Sequence, residues 1–322
     1  MKAIVRYEYG SADVLALGEV DQPAIGPREV LVRVRAAGVD RGVWHVMTGL
    51  PHLGRLAFGL RVPRNPVLGM DVSGVVEAVG VEVEALRPGD EVLGTCSGAF
   101  AELAAVREDR CVLKPAVLTF EEAAAVPTSA VTALQALRTH GRVRAGQRVL
   151  VIGAGGGVGS YAVQIAKACG AHVTGVCSTS KLELVRSLGA DEVVDYTVTD
   201  VVESEDRFDL VLDIAGNRSV SRLRRVLSPR GTLVIVGGEG GDRLTGGMGR
   251  QLGAALLSPL VRQRLHFFVA VVRRPDLETV RELLESGAVR PAVSRTYALA
   301  DAARAIRDLE GGRVAGKAVV TV

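Results

Sequence analysis

The sequence predicts an α/β protein in two parts: a small, strongly bent β domain and a doubly wound parallel sheet with helices on both faces. Three observations carry this. Up to about residue 120 the chain consists of short alternating segments, "EVLVRVRAAGV", "VSGVVEAVG" and "DEVLG", punctuated by Gly and Pro, which is the pattern of strands with one solvated face. From about residue 122 β-branched apolar runs alternate with helical stretches, as expected of parallel strands covered on both sides. At 322 residues and 48% hydrophobic, the chain is long enough for about two domains with a sizeable core.

Taken in order, "EEAAAVPTSAVTALQAL" (121–137) reads as helix. Strands "QRVLVIG", "HVTGVC", "DEVVDY", "DLVLDI" and "TLVIVGG" then alternate with the helical "YAVQIAKACG", "KLELVRSLG" and "SRLRRVL". "LHFFVAVV" (265–272) is a further strand candidate. A helix over 276–286, the strand-like "RPAVSRTYAL", a helix over 300–310 and the closing strand "GKAVVTV" follow. Six strands complete a doubly wound sheet, so this tail is expected to return to the first half. Residues 1–122 with 268–322 then form the β domain, and 123–267 the sheet domain.

Composition removes several functions. The formal net charge is +3, and basic clusters such as "RLRR" (222–225) are interleaved with apolar positions, so they read as solvated helix faces and no nucleic-acid partner is expected. The start, "MKAIVRYEYG", alternates like a strand and lacks the apolar core of a secretory signal, and no apolar run reaches the ~18 residues of a membrane span. A soluble, cytoplasmic protein without a membrane partner is expected. Cys96, Cys111, Cys169 and Cys177 show no C-x-x-C spacing and no histidine at ligand spacing, which favours free thiols over zinc or disulfides.

"VLVIGAGGGVGSYAVQIAKACGA" sets a glycine cluster between a strand and a helix, with a second strand beyond. This is the context of the Rossmann dinucleotide fingerprint. In frame with G-x-G-x-x-G stand Ala154, Gly156 and Gly159, and Gly157 and Val158 open the helix. Gly156 would let the backbone approach a pyrophosphate at the helix N-terminus, and Gly159 would let helix pack on strand; the bland reading is a merely tight turn. Where an acid would grip the ribose 2′-hydroxyl of NAD, "VCSTSK" offers Ser178 and then Lys181. A hydroxyl and an ammonium suit a 2′-phosphate, so NADPH is the expected cofactor. Ser180 with Glu183 also spells a capping box, in which Lys181 would be an ordinary first-turn residue.

The order of parts, with "EEAAAVPTSAVTA", "GAGGGVG" and "GADEVVDY", resembles the medium-chain dehydrogenase/reductase superfamily over the full length, and most its zinc-free quinone oxidoreductase branch. The resemblance implies a GroES-like β domain, a homodimer, Tyr196 beside the adenosine phosphate with Lys181, and Thr132 near the nicotinamide. Zinc alcohol dehydrogenases of the superfamily carry Cys where this chain has Asp40, His-Glu where it has Met70-Asp71, and Cys where it has Thr128. Their four-cysteine lobe should follow "GDEVLG", yet "TCSGAFAEL" holds one cysteine. Zinc wants Cys or His in fours, so none is expected.

The stretch "GVDRGVWHVMTG" (38–49), with the only tryptophan, then reads as part of a hydride-transfer site without a Lewis acid. His45 falls where alcohol dehydrogenases keep a relay histidine and is the candidate proton donor; alternatively it bonds to backbone or to a cofactor ribose. Asp40 stands where most zinc-free relatives have Asn. Its carboxylate would stabilise the cationic ring that hydride transfer leaves, or pair with Arg41 or another base. Pro51 replaces a tyrosine common in that branch. The Gly/Pro-punctuated loop "LPHLGRLAFGLRVPRNP" (50–66) reads as a wall for a small hydrophobic carbonyl or quinone. The leading expectation is an NADPH-dependent reductase of quinones or α,β-unsaturated carbonyls. The alternatives are an alcohol dehydrogenase-type carbonyl reductase with substituted zinc ligands and a catalytically idle NADPH-binding scaffold.

Overall fold

The computed structural model describes residues 1–216, 218–238 and 243–322. The chain divides into two compact units, one of Met1–Val131, Val272–Gly287 and Pro291–Val322, the other of Thr132–Val271 with Ala288–Arg290. The first division falls later than residue 122 because the helix Phe120–Ala124 packs on the β sheet, where Ala124 and Ala125 bury against Ala36 and Val319.

In the first unit the sheet order is Val293–Ala298, Lys317–Thr321, Glu29–Val39, Asp71–Val79, Glu91–Thr95 and Cys111–Leu113, with Leu103–Arg107 also paired to the long strand Glu29–Val39. Register shifts between Leu31 and Val32 and between Val34 and Ala36 bend that strand, as bulges do. Its buried Val30, Val32 and Val34 pack with Val72, Val76, Val92 and Phe100. The chain's tail closes the sheet: Lys317–Thr321 runs antiparallel to Glu29–Val39, and Val293–Ala298 lies parallel to it.

In the second unit six parallel strands run in the order Glu192–Asp195, His172–Cys177, Arg148–Ile152, Phe208–Asp213, Leu227–Ile235 and Arg264–Phe267. In chain order this is the doubly wound 3-2-1-4-5-6 arrangement. Its central strand, Arg148–Ile152, is buried from Val149 onward. The expected single helix over 121–137 is broken: Phe120–Ala124 starts on a Thr119–Glu122 capping box, Pro127 opens Pro127–Leu134, and a wider π-type turn follows at Gln135–His140. The residue before a proline resists helical backbone, which explains the break. Among the described residues no helix is long and apolar enough to cross a membrane.

Candidate active site

The glycine turn of the second unit is built for close backbone approach. Gly153 has φ +92°, where a side chain would be strained. A Cβ on Gly159 would meet the Gly153 carbonyl oxygen at 2.1 Å, so only glycine lets helix Gly157–Ala168 pack this closely on its strand. Gly156 precedes that helix in extended backbone and provides no side-chain cap. The first-turn N–H groups are thus offered to an anion at the positive end of the helix dipole. Ala154 is buried, its N–H donating to the Val176 carbonyl, whereas Gly157 and Val158 are half-buried at the helix start. Thr132 is buried on Pro127–Leu134.

Ser178 and Lys181 stand at the end of strand His172–Cys177. The Ser180–Glu183 capping box does not form: neither short helix there has a side-chain cap, and Glu183 pairs with Arg186 instead. Lys181 makes no ion pair among the described residues, and burial holds its ammonium below the usual lysine range. A half-buried cation without a carboxylate is a ready partner for a phosphate. Tyr196 is 54% exposed at the end of the neighbouring strand. Between them Asp195 accepts from Thr179 Oγ1 at 2.5 Å and from Thr197, bonds that keep its carboxyl below the usual range.

In the first unit Asp40 caps helix Arg41–Thr48, its Oδ1 accepting from Val43 N at 3.1 Å. The base facing its other oxygen is Lys317, Nζ to Oδ2 3.7 Å; Arg41 instead lays its guanidinium over Trp44, 5.6 Å from the ring centre. The same ammonium lies 3.6 Å from Asp71 Oδ2, and Asp71 Oδ1 accepts from Thr128 N at 3.1 Å and Thr128 Oγ1 at 2.5 Å. Burial first, and the Asp40 charge second, push Asp71 up to about 7, against the pull of Lys317 and Thr128. His45 is half-buried on the helix, ring edge to Trp44 at 5.0 Å, and its Nδ1 lies 2.8 Å from the Leu50 carbonyl. A carbonyl can only accept, so Nδ1 carries the hydrogen and Nε2 of the neutral ring is an acceptor. The backbone-bonded alternative for His45 is therefore realised, and donation from Nε2 requires the imidazolium. After the helix, Tyr9 donates to the Gly59 carbonyl and Arg55 to the Gly49 carbonyl, which leaves Leu53, Leu56, Leu60 and Val62 exposed on the 50–66 loop.

These donors do not fit zinc. The groups at the metal-ligand positions of the alcohol dehydrogenases are two carboxylates, a thioether and a hydroxyl, and the carboxylates face an ammonium that would repel a second cation. Sequence reasoning missed Lys317. Its only signal is a lysine opening the otherwise apolar closing strand, where a buried charge demands a partner.

Residues 26–116 match the alcohol dehydrogenase GroES-like domain and residues 188–320 the zinc-binding dehydrogenase family. The structure of the Escherichia coli quinone oxidoreductase complexed with NADPH superposes with a TM-score of 0.85 at 25% identity, covering 100% of both chains. The mouse NAD(P)H oxidoreductase RTN4IP1, mitochondrial, is 36% identical across 100% of this chain and 89% of that protein. The chain belongs to the medium-chain dehydrogenase/reductase superfamily, in its quinone oxidoreductase-like branch. This medium-chain reductase is also 34% identical to the 2-methylene-furan-3-one reductase of Solanum lycopersicum, across 99% of this chain and 79% of that protein. It is an α/β enzyme with a GroES-like unit and a Rossmann unit, and it works with a nicotinamide cofactor.

Proposed function

We propose that this reductase uses NADPH, needs no zinc, and delivers hydride to a quinone or an α,β-unsaturated carbonyl. The observation that carries the reading is the Lys317 ammonium, 3.7 and 3.6 Å from the two carboxylates at metal-ligand positions. A site without a Lewis acid suits an acceptor that conjugation has already made electrophilic. The tomato relative, a 2-methylene-furan-3-one reductase, and the Escherichia coli relative, a quinone oxidoreductase, support the same class.

When bound, NADPH supplies a hydride from its dihydronicotinamide ring. Gly156, Gly157, Val158 and Gly159, with the buried Ala154, would hold the pyrophosphate, and Thr132 would orient the nicotinamide. Ser178, Lys181 and Tyr196 would take the 2′-phosphate. As the acceptor's oxygen gains negative charge, His45 supplies one proton from Nε2 while Nδ1 stays anchored on Leu50. Asp40 holds the helix that carries His45, and it would supply negative charge to the site only to the extent that Lys317 leaves it uncompensated. Leu53, Leu56, Leu60 and Val62 line the acceptor with apolar surface.

The homodimer belongs to this reading. Strand Arg264–Phe267 pairs on one side only among the described residues, and Leu252, Leu256, Leu260 and Val269 are exposed in the same unit; an unpaired edge beside apolar surface suits a second copy. So does a cytoplasmic location, in keeping with four free cysteines. The test is NADPH oxidation against quinones, enones, enoyl thioesters and aldehydes, with the molar mass in solution measured alongside. Turnover of aldehydes alone with stoichiometric zinc would favour the alcohol dehydrogenase alternative, and NADPH binding without turnover the idle scaffold.

A further inference from the structure

Five buried side-chain nitrogen or oxygen atoms lack a hydrogen-bond partner among the described residues: Arg6 Nε, Asp40 Oδ2, Trp44 Nε1, Asp71 Oδ2 and Lys317 Nζ. Four of them are tied to one helix, Arg41–Thr48, and Asp71 Oδ2 joins them through Lys317. Asp40 caps it, Trp44 lies on it, Arg6 Nη2 donates to its Val46 carbonyl at 2.8 Å, and Lys317 faces both Asp40 and Asp71. Native interiors leave few such atoms, and each asks for a reason.

The strands explain how the charges meet. Ala318 pairs with Val39, which sets Lys317 opposite Asp40, and Gly38 pairs with Asp71. Gly38 is needed there, since a Cβ would meet the Ala124 carbonyl oxygen at 2.4 Å and Asp71 Cβ at 2.9 Å. Stability does not account for the arrangement. Buried ion pairs are often replaced by apolar residues without loss, and one ammonium between two carboxylates leaves a charge over. The ammonium faces two carboxylates, each of which holds another group: Val43 N–H for Asp40, and the Thr128 hydroxyl for Asp71.

We propose that Lys317 is a positioning residue of the reductase. Shared between Asp40 and Asp71, its ammonium fixes the cap of helix Arg41–Thr48, and with it the setting of Trp44 and His45, while fixing the direction of the Thr128 hydroxyl. This rests on the reductase reading for its kinetic part, but Trp44, the only tryptophan in the chain, gives a readout that does not.

The experiment compares the full-length protein with Lys317→Met and Lys317→Arg. Three quantities are measured: Trp44 emission, NADPH affinity by titration of nicotinamide fluorescence, and kcat and KM for whichever acceptor the wild type reduces. Lys317→Met is expected to shift Trp44 emission and to lower kcat by about tenfold or more, with NADPH affinity and acceptor KM little changed; Lys317→Arg recovers both emission and kcat. A folded Lys317→Met with wild-type emission and kcat overturns the proposal. So does a loss that falls equally on NADPH affinity, or an arginine that restores neither. Should Lys317→Met not fold, Lys317→Gln, which keeps a donor and loses the charge, is read in the same way, and failure of every variant to fold assigns Lys317 a structural role only. A wild type that reduces no acceptor fails the reductase reading, while the emission comparison still decides on Lys317.

Discussion

The stem of Lys181 lies against Gly155: a Cβ placed on that glycine would come within 2.8 Å of Lys181 Cβ and Cδ. The backbone turn and the ammonium are therefore one packed piece. A charge-assisted hydrogen bond contributes about 1.5 to 3 kcal/mol, so Lys181→Ala should weaken NADPH by roughly 10- to 100-fold and leave NADH nearly unaffected. Gly155→Ala, which must push the lysine aside, should also cost NADPH more than NADH. The ratio of kcat/KM for the two cofactors checks both variants, and equal losses on both cofactors would show that Lys181 takes no phosphate.

Ser178→Asp adds a carboxylate beside Lys181, at a strand end where Asp195 already serves Thr179 and Thr197. It repels a 2′-phosphate and offers an acceptor to bare ribose hydroxyls. The same ratio should swing toward NADH.

His45 bonds to the Leu50 carbonyl through Nδ1, so only Nε2 is left for proton transfer. Replacing it with Gln keeps a donor for that carbonyl and removes the transferable proton. Turnover of enones should fall by about 10²-fold, and that of quinones, which draw protons from water, by less. Equal, small losses on both substrates would reduce His45 to a packing role.

Asp71 is faced by the Asp40 carboxylate, the Lys317 ammonium, the Thr128 hydroxyl and the Cys96 thiol. Its ionisation near 7 lies above that of an unfolded carboxylate, about 4, so the folded protein holds this proton longer. The stability it contributes is complete below about pH 4 and is lost as pH rises through about 7. Denaturant unfolding across that window should show a decline in the wild type that is smaller in Asp71→Asn. Asp40→Asn, which keeps a cap for Val43 N–H and removes a like charge, should remain folded and lower the ionisation of Asp71.

Much of this was legible in the sequence because it is local. The Gly153–Gly159 turn and each strand–helix step of the parallel sheet are written in short stretches, where the backbone freedom of glycine or the run of β-branched residues fixes the local structure. Two things were not legible. The capping box that Ser180 and Glu183 spell does not form, and Glu183 pairs with Arg186 instead, a choice between two local bonds that spacing does not decide. For Asp40 the sequence offers Arg41 or another base as partner without choosing between them, and the base is Lys317, delivered by the pairing of the closing strand with Glu29–Val39. A contact between residues so far apart in sequence depends on sheet register, which no single segment encodes.

Hydride transfer without a metal is tested by taking NADPH-dependent turnover and zinc content from the same sample before and after exhaustive chelation. Asp40, Asp71 and Thr128 with Lys317 among them predict turnover that survives unchanged in protein holding far less than one zinc per chain. One tightly bound zinc per chain, removed together with the activity and restored with it, would show instead that the reaction needs the metal.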